Sequence, residues 1–208
     1  MKRPVRLLLA DDHAIVIAGL SALLGLEPGF EVVATAEDGE EAVRKYDEHR
    51  PDVALLDLRM PGMGGIEAAR RIISRHPGAR ILMISTFESE EDIHRALLAG
   101  VGGYLLKGSK RPELVAAIRA VFEGKRWLSA PVARLAAERA KQPDLTARQV
   151  EVLDLVSKGL STKEMAVILG LTSEGTKHHL QQIYQKLGVS TRAEATSEAL
   201  RRGILHPD

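Results

Sequence analysis

Five short apolar runs mark the first half of the chain, at 5–10, 31–36, 53–57, 81–85 and 103–107, and each has the length of a β-strand. The segments between them carry apolar residues at helical intervals instead. In GGIEAARRIISRH, for example, Ile66, Ala69, Ile72 and Ile73 recur at three and four. Strand alternating with helix predicts βαβ units, hence a doubly wound parallel sheet of five strands with five helices, complete by about residue 123. Between 124 and 144 the pattern loosens. Pro131 and Pro143 bracket the charged, Ala-rich VARLAAERAKQ, predicted as one linker helix. From 145 to 208 the pattern is helical only. Thr146 with Gln149, and Ser161 with Glu164, fit capping boxes that open apolar-periodic helices, and Gly159, Gly170 and Gly188 fall where those helices should stop. Short, closely joined helices suit a helix-turn-helix module.

Charge sharpens this division. The net charge of +1 conceals an acidic part and a basic one. Residues 1–124 carry 16 Lys and Arg against 19 Asp and Glu, whereas 125–208 carry 13 against 9. A basic second part points towards nucleic acid. With no cysteine, disulfides, thiolate metal sites and cysteine nucleophiles are excluded. The longest uncharged segment, 14–26, is 13 residues, too short to span a bilayer, and the basic N-terminus runs into Asp11 and Asp12 before a signal peptide could form. A cytoplasmic protein without a membrane partner is the expectation.

In a parallel sheet all strand ends emerge on one edge, where ligands bind. Here the first strand ends in Asp11–Asp12, the third in Asp57, the fourth in Ser85–Thr86 and the fifth in Lys107. Clustered carboxylates repel one another unless a cation lies between them, and an oxygen-only donor set suits Mg²⁺ or Mn²⁺. An Asp in such a place can attack a phosphoryl group, with Lys107 and Ser85 stabilising its oxygens. Two plainer readings stand beside this one. A single strand-end Asp is commonly a loop residue or a cap, and Asp12 is a candidate cap for the helix starting near His13. A hydrolase with an Asp nucleophile on a similar sheet carries a second Asp two residues later, where this chain has Arg59. The glycines of PGMGG (Gly62, Gly64, Gly65) match no phosphate-binding fingerprint and read as a flexible turn.

The motifs LLLADDH, LLDLRMPGMGG, ILMIST and GGYLLK, in this order and spacing, resemble the receiver domain of bacterial two-component response regulators over residues 1–123. The resemblance implies a flavodoxin-like strand order 2-1-3-4-5 and phosphorylation of Asp57 by a sensor histidine kinase. It further implies Mg²⁺ held by Asp11, Asp12, Asp57 and the Arg59 carbonyl, with Ser85, Tyr104 and Lys107 sensing the phosphate. Beyond a linker at 124–144, LTARQVEVLDLVSKGLSTKEMAVILG…KLGVSTRAEA resembles the LuxR-type helix-turn-helix of the NarL/FixJ class. Helices are then expected at 147–157, 162–169, 172–187 (the recognition helix) and 192–202. Lys177, His178 and Gln181 share one face of the recognition helix and are candidates for base or phosphate contacts, while Leu180, Ile183 and Leu187 face the core. Lys163, Lys186 and Arg192 are candidates for phosphate contacts. The pair His178–His179 points two ways around a helix and makes no metal site.

Two departures stand out. Gly175–Thr176 replaces the usual Thr-Val before the recognition Lys, placing a glycine inside a helix and a hydroxyl in a packed site. In the first helix, Val16, Leu20, Leu23 and Leu24 form the expected core stripe, while the outward stripe Ala14, Ile17, Ala18 and Ser21 has no charge and is a candidate interface for the kinase or a second receiver. The expectation is a transcription factor that binds promoter DNA, pairing as a homodimer when phosphorylated. Its alternatives are a phosphorelay or protein-binding regulator that has lost DNA binding, and a DNA binder indifferent to phosphorylation.

Overall fold

The computed structural model describes residues 3–86, 89–140 and 144–205. Five strands, β1 (Val5–Ala10), β2 (Phe30–Ala36), β3 (Val53–Asp57), β4 (Ile81–Ser85) and β5 (Gly103–Leu106), alternate with α1 (Ala14–Gly25), α2 (Gly39–His49), α3 (Gly65–Arg75), α4 (Glu90–Leu98) and α5 (Arg111–Phe122). All strands are parallel, in the order β2-β1-β3-β4-β5. Every residue of β3 and β4 is buried, as expected where helices cover both faces of a sheet. Leu7, Leu9, Leu55, Leu82 and Ile84 pack with Leu114, Ile118 and Val121 of α5 in one core layer.

The five-strand expectation needs one correction. Trp127–Leu128 adds a sixth parallel strand, β6, pairing Gly103 with Trp127 and Tyr104 with Leu128. It lies inside the stretch read as linker. Two half-buried residues have no periodicity to detect, and Lys125–Arg126 just before them read as solvent-facing. The predicted linker helix follows as α6 (Ala130–Arg139). A second correction concerns α1. Of its expected core stripe only Leu24 is fully buried, and Leu23 is 38% exposed.

The chain divides into two compact units, one of residues 1–88 and 93–135 and the other of residues 89–92 and 136–208, so that both α4 and α6 are divided between them. The second unit contains α7 (Ala147–Ser157), α8 (Thr162–Leu169), α9 (Ser173–Leu187) and α10 (Arg192–Arg202). Thr146–Gln149, Ser161–Glu164 and Thr191–Glu194 form complete capping boxes, so three helices open with backbone donors satisfied. Gly170 and Gly188 end α8 and α9 in the left-handed conformation, at φ 63° and 71°. Val152, Leu153, Met165, Ile183, Leu187, Ala195 and Ala199 form the core.

An ion-pair knot ties α10 to α9. Glu198 accepts two bonds of 2.7 Å from Arg201 and one of 2.6 Å from Arg202 Nε, while Arg202 Nη2 donates to the Leu187 carbonyl at 2.9 Å. The hydrogen bond from Arg201, and then that from Arg202, outweighs burial and holds the Glu198 carboxyl down to about 2. A depressed carboxyl contributes stability that is present above the unfolded-state pKa near 4.5 and lost as pH falls towards 2. Glu198→Gln should therefore cost about 1–2 kcal/mol at pH 7, the deficit shrinking below pH 4.5 in thermal melts.

Candidate phosphoacceptor site and nucleic-acid interface

The carboxyl edge of the sheet gathers its charges as the strand register dictates. Asp57 ends β3 opposite Ile84, and Ser85 ends β4 opposite Leu106, so Lys107 follows directly beside it; the Lys107 N–H donates to the Ser85 carbonyl at 2.9 Å. The Lys107 ammonium lies 2.6 Å from Asp11 Oδ2 and 3.1 Å from Asp57 Oδ1. Asp11, Asp57 and Ser85 are all buried. Burial opposes the charged form of both partners in the Lys107–Asp57 pair, with unequal results. For Lys107 the hydrogen bonds and charges of Asp11 and Asp57 outweigh it, and the ammonium is held above the usual lysine range. Asp57 has a share in one ammonium and the repulsion of Asp11, so burial prevails and its carboxyl is pushed up.

Asp12 is more exposed, and His13 Nδ1 lies 2.8 Å from its Oδ1 and 3.2 Å from Asp11 Oδ1. Asp11, Asp12 and His13 can each bring one ligand atom within 4.8 Å of the others. His13 was not among the candidates read from the sequence, although it adjoins them there. It is also the N-cap of α1 and makes no capping side-chain bond, so Asp12 does not have the capping role considered for it. Asp57 is not in the group of Asp11, Asp12 and His13 and meets Asp11 only through the Lys107 ammonium, so the oxygens suited to a hard divalent ion lie around a side-chain cation. Tyr104 on β5 is completely buried. Arg59 is exposed on the loop after β3.

The PGMGG turn does more than bend. Gly62 has φ +68°, as a turn glycine should, but the constraint at Gly65 is one of space. A Cβ there would lie 1.9 Å from the Asp57 carbonyl oxygen and 2.9 Å from Met83 Cε. The start of α3 thus packs directly on the backbone of the site's central aspartate, correcting the reading of this glycine as mere flexibility.

In the helical unit, Lys177, His178 and Gln181 are exposed on α9, and Lys163 is exposed on α8. Lys186 and Arg192 stand apart from them, because their cationic ends are engaged inside the domain. Lys186 Nζ donates to the Asp144 carbonyl at 2.6 Å and to Gln149 Oε1 at 2.8 Å. Arg192 donates to the Leu160 carbonyl and approaches Met165 Sδ at 3.6 Å. Thr176 is fully buried, and its hydroxyl donates to the Thr172 carbonyl at 3.1 Å, so the unusual hydroxyl is satisfied within the helix. On α1, Ala14 and Ala18 are exposed and Ile17 and Ser21 half-buried; Ile15, outside the expected stripe, is 83% exposed.

A parallel sheet with acids and an ammonium at its carboxyl edge, followed by a capped helix-turn-helix, defines a receiver joined to a regulatory DNA-binding fold. Residues 7–119 match the response regulator receiver domain and residues 143–199 the bacterial regulatory proteins of the luxR family. The chain belongs to the response regulators of the NarL/FixJ type, with a receiver domain and a LuxR-type DNA-binding domain, a class that regulates transcription. It is 39% identical to the probable transcriptional regulatory protein NarL of Mycobacterium tuberculosis over 208 residues, 97% of this chain and 96% of the relative. It is 37% identical to the transcriptional regulatory protein LiaR of Bacillus subtilis, covering 97% of this chain and all of the relative. Among solved structures, the response regulator RcsB in complex with DNA has a TM-score of 0.71 at 25% identity, over 94% of this chain and 98% of that one. No helix among the described residues is long and apolar enough to cross a membrane.

Proposed function

We propose that Asp57 accepts a phosphoryl group from a sensor histidine kinase and that this controls promoter binding by the helix-turn-helix. The observation that carries the reading is the half-buried Lys107 ammonium shared between the buried Asp11 and Asp57. It brings together a nucleophile, an acid for a metal and a cation for the phosphate. A carboxylate oxygen of Asp57 attacks phosphorus, the P–N bond to the kinase histidine breaks, and the imidazole leaves with its electron pair. Asp11, Asp12, Asp57 and the Arg59 carbonyl would hold Mg²⁺ or Mn²⁺, which supplies charge neutralisation to the phosphoryl oxygens. Lys107 pairs with one phosphoryl oxygen, Ser85 donates to another, and Tyr104 follows the movement of Ser85. The protein accepts phosphate on itself and is not expected to turn over small phosphate esters.

Receiver, linker and DNA-binding domain are assigned to 1–123, 124–144 and 145–208, with β6 at the start of the linker stretch completing the receiver sheet. Phosphorylation adds roughly −1.5 to −2 charges beside Lys107 and biases an equilibrium towards a homodimer that reads paired half-sites. Lys177, His178, Gln181 and Lys163 are assigned to DNA. Lys186 and Arg192 join them only if DNA draws their cationic ends from the bonds they make within the domain. Partners in the same compartment, a kinase domain and DNA, put the protein in the cytoplasm. A gel-shift series with and without acetyl phosphate and magnesium tests the reading. Tighter binding with the phosphodonor is expected, and binding that ignores it, or no binding to any DNA, refutes it.

The uncharged face of α1 (Ala14, Ile17, Ala18, Ser21) is assigned to the kinase or to a second receiver. Ile17→Arg should reduce phosphotransfer or dimerisation at least fivefold with an unchanged melting temperature, since a charge in an apolar contact is left unpaired. Normal behaviour in both assays would remove this assignment.

A further inference from the structure

Gln149 of α7 is 2% exposed, and its amide orientation is fixed by what surrounds it. Its Oε1 accepts from the Thr146 backbone N–H at 3.0 Å and from the Lys186 ammonium at 2.8 Å. Neither donor can accept, so the oxygen must face them and the Nε2 amide must face the other way. There it donates to Gln182 Oε1 at 2.9 Å. Gln182 is thereby oriented in turn, with its own NH₂ directed at His178 Nε2, 2.9 Å away. That nitrogen must offer its lone pair. The ring proton of the neutral imidazole is consequently on Nδ1, which has no hydrogen-bond partner among the described residues and sits on the exposed face of α9.

We infer that Gln182 is a positioning residue that fixes His178 as an Nδ1–H donor, so that His178 reads a hydrogen-bond acceptor on a major-groove base edge. The inference rests on the DNA-binding reading given above. The chemistry recognised is guanine N7 or O6, adenine N7 or thymine O4, against the donor amino group of cytosine. The chain of amides runs from a buried cap through Gln182 to the helix surface, so the fold favours one tautomer at the exposed His178. Histidine is versatile because its two nitrogens exchange roles, and a reader of bases needs that ambiguity removed.

The test uses the full chain with ¹⁵N-labelled histidine, His178 being assigned from a His178→Gln variant. Long-range ¹⁵N–¹H correlation at pH 8 should show a protonated Nδ1 and an unprotonated Nε2 in the wild type. Gln182→Glu keeps an acceptor for the Gln149 amide but offers His178 only an acceptor, and should move the ring proton to Nε2. Gln182→Met removes the partner and should abolish the Nδ1–H preference. Sites selected from random DNA should then reveal one position at which Gln182→Glu exchanges an acceptor-bearing base for a donor-bearing one. Affinity for the wild-type site should fall about fivefold beyond the loss on non-specific DNA, which measures the added negative charge alone. A wild-type ring protonated on Nε2, or a proton unmoved by Gln182→Glu, overturns the inference. So does the expected tautomer with base preference unchanged, a result that leaves DNA binding standing. Failure to bind any DNA beside an intact tautomer signature overturns the DNA-binding reading and the base contact with it.

Discussion

Asp57→Asn is expected to reduce phosphate incorporation from acetyl phosphate or a cognate kinase to background, and with it the phosphodonor-dependent tightening on DNA. An amide nitrogen or oxygen at that position cannot form the acyl phosphate, and no other carboxylate among the described residues is as buried beside Lys107 except Asp11, which already shares its ammonium. The fold should survive. Burial pushes the Asp57 carboxyl up, so its charged form is penalised by folding and its removal relieves that penalty. Lys107 retains Asp11 at 2.6 Å as counter-charge. The melting temperature should accordingly stay level or rise slightly. A labelled Asp57→Asn protein would move the acceptor elsewhere, and a cooperative loss of fold would show that the carboxylate is structural.

Gly65→Ala should have the largest structural effect of any single methyl added near the site. The new Cβ would meet the Asp57 carbonyl oxygen at 1.9 Å, far inside van der Waals contact, and the obstacle is backbone that cannot rotate away. Either α3 retreats or the end of β3 bends, and each displaces Asp57. Overpacking of this kind costs about 3 kcal/mol, which lowers the melting temperature of a domain this size by about 10 °C. Gly62→Ala is the control. It meets nothing within 4 Å and bears only the left-handed backbone cost at φ +68°, about 1 kcal/mol. Calorimetry on the pair decides the matter: equal losses, or a neutral Gly65→Ala, would refute the close-packing argument.

Much of this was legible because buried parallel strands and polar strand ends leave a strong signature. Apolar runs such as Val53–Leu56 placed the strands, and the residues terminating them, Asp11, Asp57, Ser85 and Lys107, needed only the rule that parallel strands finish together. The capping pairs at Thr146 and Ser161 likewise carry their own geometry in their spacing. What stayed hidden depends on contacts between distant segments. Gly65 looks like any turn glycine until the helix it begins is seen against Asp57. Lys186 reads as a surface cation until Gln149, 37 positions earlier, is found beneath it. Gln182 is silent for the same reason, since an amide shows its partners only in three dimensions. Leu23 fits the helical stripe by spacing, but α1 lies so that this position is partly open to solvent.

Strand β6 has a practical consequence for dissecting the protein. Trp127 and Leu128 occupy the hydrogen-bonding edge of β5, with the Trp127 N–H on the Gly102 carbonyl at 3.0 Å. Cutting the chain after 123, where sequence periodicity ends, would strip that edge and leave its carbonyls open to strand pairing between molecules. An N-terminal fragment meant to remain monomeric in the test tube should therefore retain at least Ser129.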